Sequence, residues 1–91
     1  MERTVYSAPE RIDRNSSGDV QDELDEILDS GVTDLVIDMG EVKYLSSAGL
    51  RVLVATQKRI GRNGSFTLKN VPDIVKETLD LTGLSSVMPM E

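Results

Sequence analysis

Ninety-one residues are enough for one compact domain and too few for two. The chain is 38% hydrophobic and 29% charged, and it contains no cysteine and no histidine, which excludes disulfide frameworks, thiolate and imidazole metal sites, and Ser-His or cysteine catalysis. The net charge of −6 disfavours nucleic acid as a partner, and since no apolar run exceeds four residues we expect a soluble, cytoplasmic protein without membrane insertion.

The first half of the chain predicts a strand, a helix and a second strand. Residues 4–6 are β-prone, and residues 15–18 predict a loop before a helix capped by Ser17 or Asp19. The apolar stripe of this helix consists of Val20, Leu24, Ile27 and Leu28. Ser30 and Gly31 end the helix, and the apolar run 35–37 predicts a strand buried on both faces.

The second half predicts two further helices and two further strands. Leu50, Leu53, Val54 and Ile60 form the apolar face of a second helix that ends at Gly61. Phe66 and Leu68 alternate with polar residues, which is typical of a strand with one wet face. A third helix begins at Pro72, buries Ile74, Val75, Leu79 and Leu81, and ends at Gly83. Val87 and Met88 predict a last short edge strand.

The resulting order is βαβαβαβ, with one more strand possible at the start. Strands that alternate with helices at this spacing predict an α/β fold with a small, mostly parallel sheet and βαβ crossovers. We expect residues 1–91 to form a single domain with about three helices.

Charge is segregated along the chain. Residues 19–41 carry nine carboxylates and no basic residue, whereas residues 43–69 carry six basic residues and no carboxylate. Two interpretations remain open: solvated helix faces that differ in sign, or a polarised surface that orients a protein partner.

Two adjacent serines lie in residues 44–50, where a predicted strand gives way to the second helix. In open α/β sheets, binding sites usually lie at the carboxyl ends of the strands, where the following helices begin. Either Ser46 or Ser47 simply caps the helix, or Ser46 caps it and Ser47 presents a free hydroxyl. A phosphoryl group on Ser47 would then meet unpaired N–H groups and the positive end of the helix dipole. Gly49 is a poor helix former, so it indicates close approach by another backbone or by a partner.

Enzymatic interpretations find less support. A serine nucleophile needs a base, the chain has no histidine, and the G-x-S-x-G elbow and the glycine-rich nucleotide-binding motifs are missing. Asp34 and Asp38 lie four residues apart on one predicted strand and could form an acidic pocket, but solubilising charges at the strand ends explain them better. We therefore predict a protein that is not an enzyme and has no catalytic residues, cofactor or metal.

Three segments resemble a known family. Residues 45–53 (Leu-Ser-Ser-Ala-Gly-Leu-Arg-Val-Leu) resemble the D-S-[ST/A]-G-L-x-x-L signature of STAS domains, in particular those of bacterial anti-sigma-factor antagonists. Ile12 and Asp13 are similar to the end of the G-E-[IL]-D strand of that family, and residues 79–84 (Leu-Asp-Leu-Thr-Gly-Leu) are similar to its L-F-D-x-[ST]-G-L segment. Together the three segments cover about residues 10–90 in the family's order.

The resemblance implies a STAS fold and a regulatory binding role. Such a protein binds an anti-sigma serine kinase when it is unphosphorylated, which frees a sigma factor for transcription. The kinase phosphorylates the serine at the position of Ser47, the complex dissociates, and a metal-dependent Ser/Thr phosphatase reverses the modification. The expected partner-binding residues are Tyr44, Ser46, Ser47, Ala48 and Gly49, with Asp13, Asn15 and Ser16 of the neighbouring loop.

The chain departs from the family pattern at one informative position. Ser46 replaces the motif's aspartate, so a fixed negative charge beside Ser47 is missing. This difference motivates an alternative function, in which an unphosphorylated STAS subunit docks on a scaffold or lipid-transporter complex. By comparison with the family, the single domain is expected to be shortened at both ends.

Overall fold

The chain folds as three helices and five short strands in a computed structural model that describes residues 3–91. The strands are β1 (Thr4–Ser7), β2 (Arg11–Ile12), β3 (Asp34–Asp38), β4 (Tyr44–Leu45) and β5 (Ser65–Lys69). The helices are α1 (Ser17–Asp29), α2 (Ser47–Ile60) and α3 (Asp73–Thr82), with 3₁₀ turns at Gly61–Asn63 and Leu84–Ser86.

Every strand pair within the described residues is parallel, as the strand–helix alternation predicts, and the α/β fold class is confirmed. The main sheet has the order β1-β3-β5, so the strand with the continuous apolar run lies in its centre. Leu35, Val36 and Ile37 are all buried, and they are therefore covered on both faces of the sheet. β2 and β4 pair as a separate two-stranded sheet; a strand before Ser46 and a strand end at Ile12 were expected, but their pairing in a second sheet was not.

The core lies between the main sheet and the helices. α1 contributes the buried residues Val20 and Leu24, while Ile27 and Leu28 are half-buried against the same core. α2 contributes Leu50 and Leu53 as predicted, with Val54 and Ile60 half-buried. α2 also buries Val52 and Thr56, which the predicted stripe missed; the Thr56 hydroxyl donates to the Val52 carbonyl at 2.8 Å, so its burial leaves no polar group unpaired.

The predicted starts of two helices are wrong. The N-cap of α1 is Ser16 rather than Ser17 or Asp19, and its hydroxyl is engaged elsewhere, as described below. Pro72 precedes α3 as its N-cap instead of occupying the first turn. Gly31 and Gly83 do take the positive φ that ends a helix.

Two further predictions about the C-terminal part are also wrong. Ile74 and Leu81 are 54% and 84% exposed, because only Val75 and Leu79 of α3 point into the core. Val87 and Met88 form no strand; they lie in a turn after the 3₁₀ segment Leu84–Ser86, and the only pairing nearby among the described residues is a single parallel bridge between Leu68 and Met90. Met88 is nonetheless buried, so the apolar character of this segment reflects packing rather than strand pairing.

Candidate functional site

The candidate site lies where the two small strands end. β2 and β4 pair with Arg11 opposite Tyr44 and Ile12 opposite Leu45. The Ser46 N–H continues this pairing by donating to the Ile12 carbonyl at 2.9 Å. Asp13 and Ser46 therefore follow adjacent parallel strands at the same sheet edge, and a helix begins shortly after each of them. This arrangement is typical of functional sites in open α/β sheets.

Ser46 is the cap of α2. It has extended backbone geometry, its hydroxyl accepts a hydrogen bond from the Gly49 N–H at 3.3 Å, and its carbonyl accepts from the Leu50 N–H at 3.0 Å. The hydroxyl bond satisfies a first-turn donor that would otherwise lack a partner, and the carbonyl bond is the first regular hydrogen bond of the helix. Of the two assignments left open by the sequence, the structure therefore favours the one in which Ser46 caps and Ser47 does not.

Ser47 is the first helical residue, and it is exposed. Within residues 3–91 its hydroxyl has no hydrogen-bond partner. The first turn of α2 contains no acidic residue, so the positive end of the helix dipole is not offset from within that turn. A negative group attached to Ser47 would therefore lie in solvent at the positive end of the helix dipole.

Gly49 is buried beneath the start of α2. A Cβ atom at this position would lie 2.6 Å from Cδ1 of Leu45, 2.8 Å from Cγ2 of Ile12 and 3.0 Å from the Ile12 carbonyl oxygen. Of the two explanations for this glycine, close approach by another backbone is the one observed, because α2 rests directly on β2. Gly49 therefore positions the helix start, and the structure places this predicted partner-binding residue beneath the surface.

Asp13, Asn15 and Ser16 form a hydrogen-bonded turn between β2 and α1. Oδ1 of Asp13 accepts from the backbone N–H groups of Asn15 and Ser16 at 2.9 and 3.0 Å, while Oδ2 accepts from Nε of Arg11 at 2.6 Å. The Ser16 hydroxyl accepts from the Asp13 N–H at 3.0 Å, which is why it does not cap the first turn of α1. Arg11 first, and then the Ser16 N–H, lower the pKa of Asp13 to about 2, so this carboxylate is a fixed negative charge at neutral pH.

Arg11 is a site residue that the sequence analysis missed. Its guanidinium lies over the ring of Tyr44, 4.4 Å from the centroid, while it also pairs with Asp13. It thereby links the exposed Tyr44 ring to the Asp13 turn across the strand pair. Its position two residues before Asp13, on the same face of a strand, is the signal that could have indicated the pairing.

The predicted partner-binding residues therefore fall into two groups. Those on or near the surface around the start of α2 are Tyr44, Ser46, Ser47, Ala48, Asp13, Asn15 and Ser16. Gly49 lies underneath. Leu45, which precedes Ser46, is partly buried and packs against the core.

Asp34 and Asp38 occupy opposite ends of β3 and have separate partners. Asp34 accepts from the Ser65 hydroxyl at 2.7 Å, and Asp38 accepts from the Gly40 N–H at 2.9 Å and from the Asn70 side-chain amide at 3.2 Å. The bond from Gly40 is the largest cause of the lowered pKa of Asp38. These contacts fit the interpretation of the two residues as strand-end charges.

Two further observations concern the described residues, 3–91. No cluster of three or more acidic side chains in this range is arranged to hold a metal ion. No helix in this range combines the length and the apolar composition that a bilayer crossing requires.

The chain belongs to the STAS domain family, whose model matches residues 2–91. This finding confirms the resemblance seen in the three sequence segments. The observed α/β fold is therefore the fold of this family.

Relatives within this family are named as anti-sigma factor antagonists. The chain is 30% identical over 80 residues to the anti-sigma-F factor antagonist RsfB of Mycobacterium tuberculosis, a match that covers 88% of this chain and 66% of RsfB. A crystal structure of an anti-sigma factor antagonist from Mycobacterium paratuberculosis superposes with a TM-score of 0.87 at 27% identity, covering 94% of this chain and 74% of the other.

A more distant structure shares the fold. The anti-sigma factor antagonist SpoIIAA in its unphosphorylated form matches with a TM-score of 0.78 at 14% identity, over 100% of this chain and 82% of SpoIIAA. At this identity the match establishes the common fold and nothing more.

Proposed function

We propose that this protein is an anti-sigma factor antagonist controlled by phosphorylation of Ser47. In this role the unphosphorylated protein binds an anti-sigma factor that is also a serine kinase, which releases a sigma factor for transcription. Phosphorylation of Ser47 by that kinase ends the binding. Support comes from the family, from the names of RsfB and of the Mycobacterium paratuberculosis protein, and from the geometry around Ser47.

The observation that carries the proposal is the exposed, unbonded hydroxyl of Ser47 at the first position of α2. Ser46 performs the capping, so Ser47 is not needed to hold the helix start. Modification of Ser47 is therefore compatible with an intact fold. The same position carries a phosphoryl group well, because the helix N-terminus favours negative charge.

The chemical step is transfer of the γ-phosphoryl group of ATP. Oγ of Ser47 forms a bond to the γ-phosphorus as the bond to the β–γ bridging oxygen breaks, ADP leaves, and the hydroxyl proton passes to a base of the kinase. The product carries about −1.5 to −2 additional charge at pH 7. Placed in the middle of a docking surface, this charge weakens binding by repulsion and by the cost of desolvation.

Two further features follow from this role. A metal-dependent Ser/Thr phosphatase is the expected second partner, because a phosphoserine that is not hydrolysed would make the switch irreversible. An ATP-dependent kinase operates in the cytoplasm, which is where we propose that this protein acts. The protein itself would be a binding module without catalytic activity, in keeping with the antagonist names of its relatives.

The direct test is incubation of the purified protein with an anti-sigma serine kinase from the same genome and ATP, followed by mass mapping of phosphoserine. We expect one phosphate, on Ser47. Ser47→Ala should abolish labelling and retain kinase binding, whereas Ser46→Ala should still be labelled and so serves as the matched control. Labelling at Ser46, or none on the parent protein by any such kinase, would contradict the proposed switch.

Binding provides the second measurement. Ser47→Asp introduces a charge and Ser47→Asn introduces a neutral side chain of similar size, so the pair separates charge from shape. We expect Ser47→Asp to raise the Kd for the kinase at least tenfold and Ser47→Asn to change it much less. Equal effects of the two variants would show that charge is not the signal.

Ser46 supports a second candidate, in which the domain docks constitutively on a scaffold or lipid-transporter complex. Because Ser46 places no carboxylate next to Ser47, any step that needs a fixed charge there is lost. Under this alternative, isolation of the protein from cells would recover transporter or scaffold subunits and no kinase, and Ser47 would be unmodified.

A further inference from the structure

A shallow apolar groove runs along α2 beside the 3₁₀ turn that follows α3. Its volume is about 370 Å³, and it is lined by Leu50, Arg51, Val54, Ala55, Lys58 and Leu84. Apolar side chains form the floor, and the two cations lie seven residues apart on the helix, roughly 10 Å along its axis. A surface of this shape accepts a protruding apolar side chain rather than enclosing a small molecule.

Ser47 lies on the same face of α2 as this groove. Arg51, Val54 and Lys58 follow Ser47 by four, seven and eleven residues, which is the spacing of one helix face. The groove therefore starts one turn beyond Ser47 and continues for two further turns. A partner that contacts Ser47 and extends along α2 would enter it.

The two cations of the groove are available for a partner. Within the described residues, 3–91, neither Arg51 nor Lys58 forms an ion pair. Arg59, on another face of α2, pairs with Asp25 and Asp29 of α1, so part of the charge segregation seen in the sequence is neutralised inside the domain. Arg51 and Lys58 are not neutralised in this way.

We infer that this groove, which we call the α2 groove, binds an acidic amphipathic segment of the anti-sigma kinase, a conclusion that rests on the proposed function. Apolar side chains of that segment fill the space above Val54, Ala55 and Leu84, and its carboxylates pair with Arg51 and Lys58. Charge complementarity favours such a segment over a neutral or basic one. A second copy of this chain is a poorer occupant, since each copy carries a net charge of −6.

The α2 groove also explains how one phosphate can act on a wide interface. Residues four apart on a helix are neighbours, so a phosphoryl group on Ser47 lies within reach of the Arg51 guanidinium. The phosphate and the partner's carboxylate then compete for the same cation. Phosphorylation thus repels the partner and also withdraws Arg51 from it.

The test is a set of single charge reversals, with binding measured against the same purified kinase. Arg51→Glu and Lys58→Glu should each raise the Kd at least tenfold, and Ala55→Glu, which adds a carboxylate to the groove floor, should do the same. Arg62→Glu is the same charge reversal as Arg51→Glu and Lys58→Glu but lies beyond the C-terminal end of α2, outside the groove, and it should leave the Kd within about twofold of the parent. Chemical denaturation of each variant identifies loss of binding that is due to unfolding.

The outcomes separate the α2 groove from the switch at Ser47. If Ser47→Asp weakens binding while Arg51→Glu and Ala55→Glu bind like the parent, the groove assignment is wrong and the proposed function stands. If Ser47 is not phosphorylated but the groove variants still weaken kinase binding, the switch fails and the groove stands. If the groove variants change only the self-association measured by sedimentation, the occupant is a second copy and the assignment to the kinase is wrong.

Discussion

The N-terminal segment, residues 4–12, pairs with residues 34–45 at two places, first through β1 and β3 and then through β2 and β4. The two pairings differ in how many of their side chains are buried. β1 pairs with β3 over four residues, and the apolar residues of β3 are all buried. Further along, β2 pairs with β4 over two residues, and only Ile12 of the four is buried. In the first pairing the buried apolar side chains are those of β3, since no residue of β1 is fully buried, whereas the second pairing contributes one buried side chain and the tight contact of Ile12 with Gly49.

This difference suggests a division of roles. The main sheet supplies the free energy of folding, because buried apolar area is the largest favourable contribution. The small pair supplies position, since the Ser46–Ile12 bond and the contact of Gly49 with Ile12 set where α2 begins. Substitutions in the two regions should therefore differ in size and in what they disturb.

The largest effect is expected in the main sheet. Leu35→Ala removes a fully buried side chain from the central strand, so it should lower the free energy of unfolding by about 2–5 kcal/mol. The measurement is chemical denaturation monitored by circular dichroism. A loss below 1 kcal/mol would mean that the central strand is not the main source of stability.

A smaller effect of defined sign is expected at Gly49. Gly49→Ala inserts a methyl group against Ile12 and Leu45 and should destabilise the domain by about 1–3 kcal/mol. Gly18→Ala in the first turn of α1 is the matched control, because a Cβ there meets nothing within 4 Å. That control should stabilise the protein by up to about 1 kcal/mol through helix propensity. Stabilisation by both substitutions would show that the contact beneath α2 is not tight.

Substitution of Ser46 or Ser47 should change the free energy of unfolding by less than Gly49→Ala does. Ser46→Ala removes the cap of α2 and should cost about 1 kcal/mol, whereas Ser47→Ala should change stability by no more than about 0.5 kcal/mol. Thermal or chemical unfolding of both variants measures the difference. If Ser47→Ala proves the more damaging, the assignment of the cap to Ser46 is wrong.

The smallest effects are expected in how the free energy of unfolding depends on pH. Each of the two regions contains one group with a shifted pKa, an acidic group in one and a phenol in the other. Asp13, beside the small pair, has a folded-state pKa of about 2 against an ordinary 3.8, so its contribution is present above pH 4 and lost as pH falls towards 2. Tyr6, in β1, is raised from 10.0 to about 12, first by burial and then by its hydrogen bond to Glu23, so stability is lost as pH rises from 10 to 12. The free energy of unfolding of Asp13→Asn should depend less on pH than that of the parent between about pH 4 and 2, and that of Tyr6→Phe should depend less on pH between about pH 10 and 12. A variant whose pH dependence equals that of the parent would exclude the substituted group as the cause.

Most elements could be predicted because their patterns reflect burial. The apolar run 35–37 predicts a buried strand, and the alternation around Phe66 and Leu68 predicts a half-buried strand, because hydrophobic periodicity indicates which side chains face the core. The predictions failed where the pattern was short. Ile74 and Leu81 are apolar but exposed, and no local signal distinguishes them from Val75 and Leu79, which are buried.

The site was only partly predictable for a related reason. The position of Ser47 at a helix start follows from local chemistry, because serines and glycines mark the transition from strand to helix. The link from Arg11 to Tyr44 and the α2 groove with Leu84 join residues that are distant in the sequence. Such contacts depend on how the helices and strands pack, and this packing cannot be predicted from local patterns in a single sequence.

The amino-acid sequence by itself determined the fold class, the central buried strand and the serine pair at the start of α2, because these depend on periodicity and local capping within a few residues. Only the tertiary structure decided that Ser46 is the cap while Ser47 stays free, that Gly49 packs against Ile12, and that Arg51 and Lys58 border an apolar groove. The physical reason is that these facts depend on which strand lies next to which, and strand neighbours are chosen by the packing of the whole core.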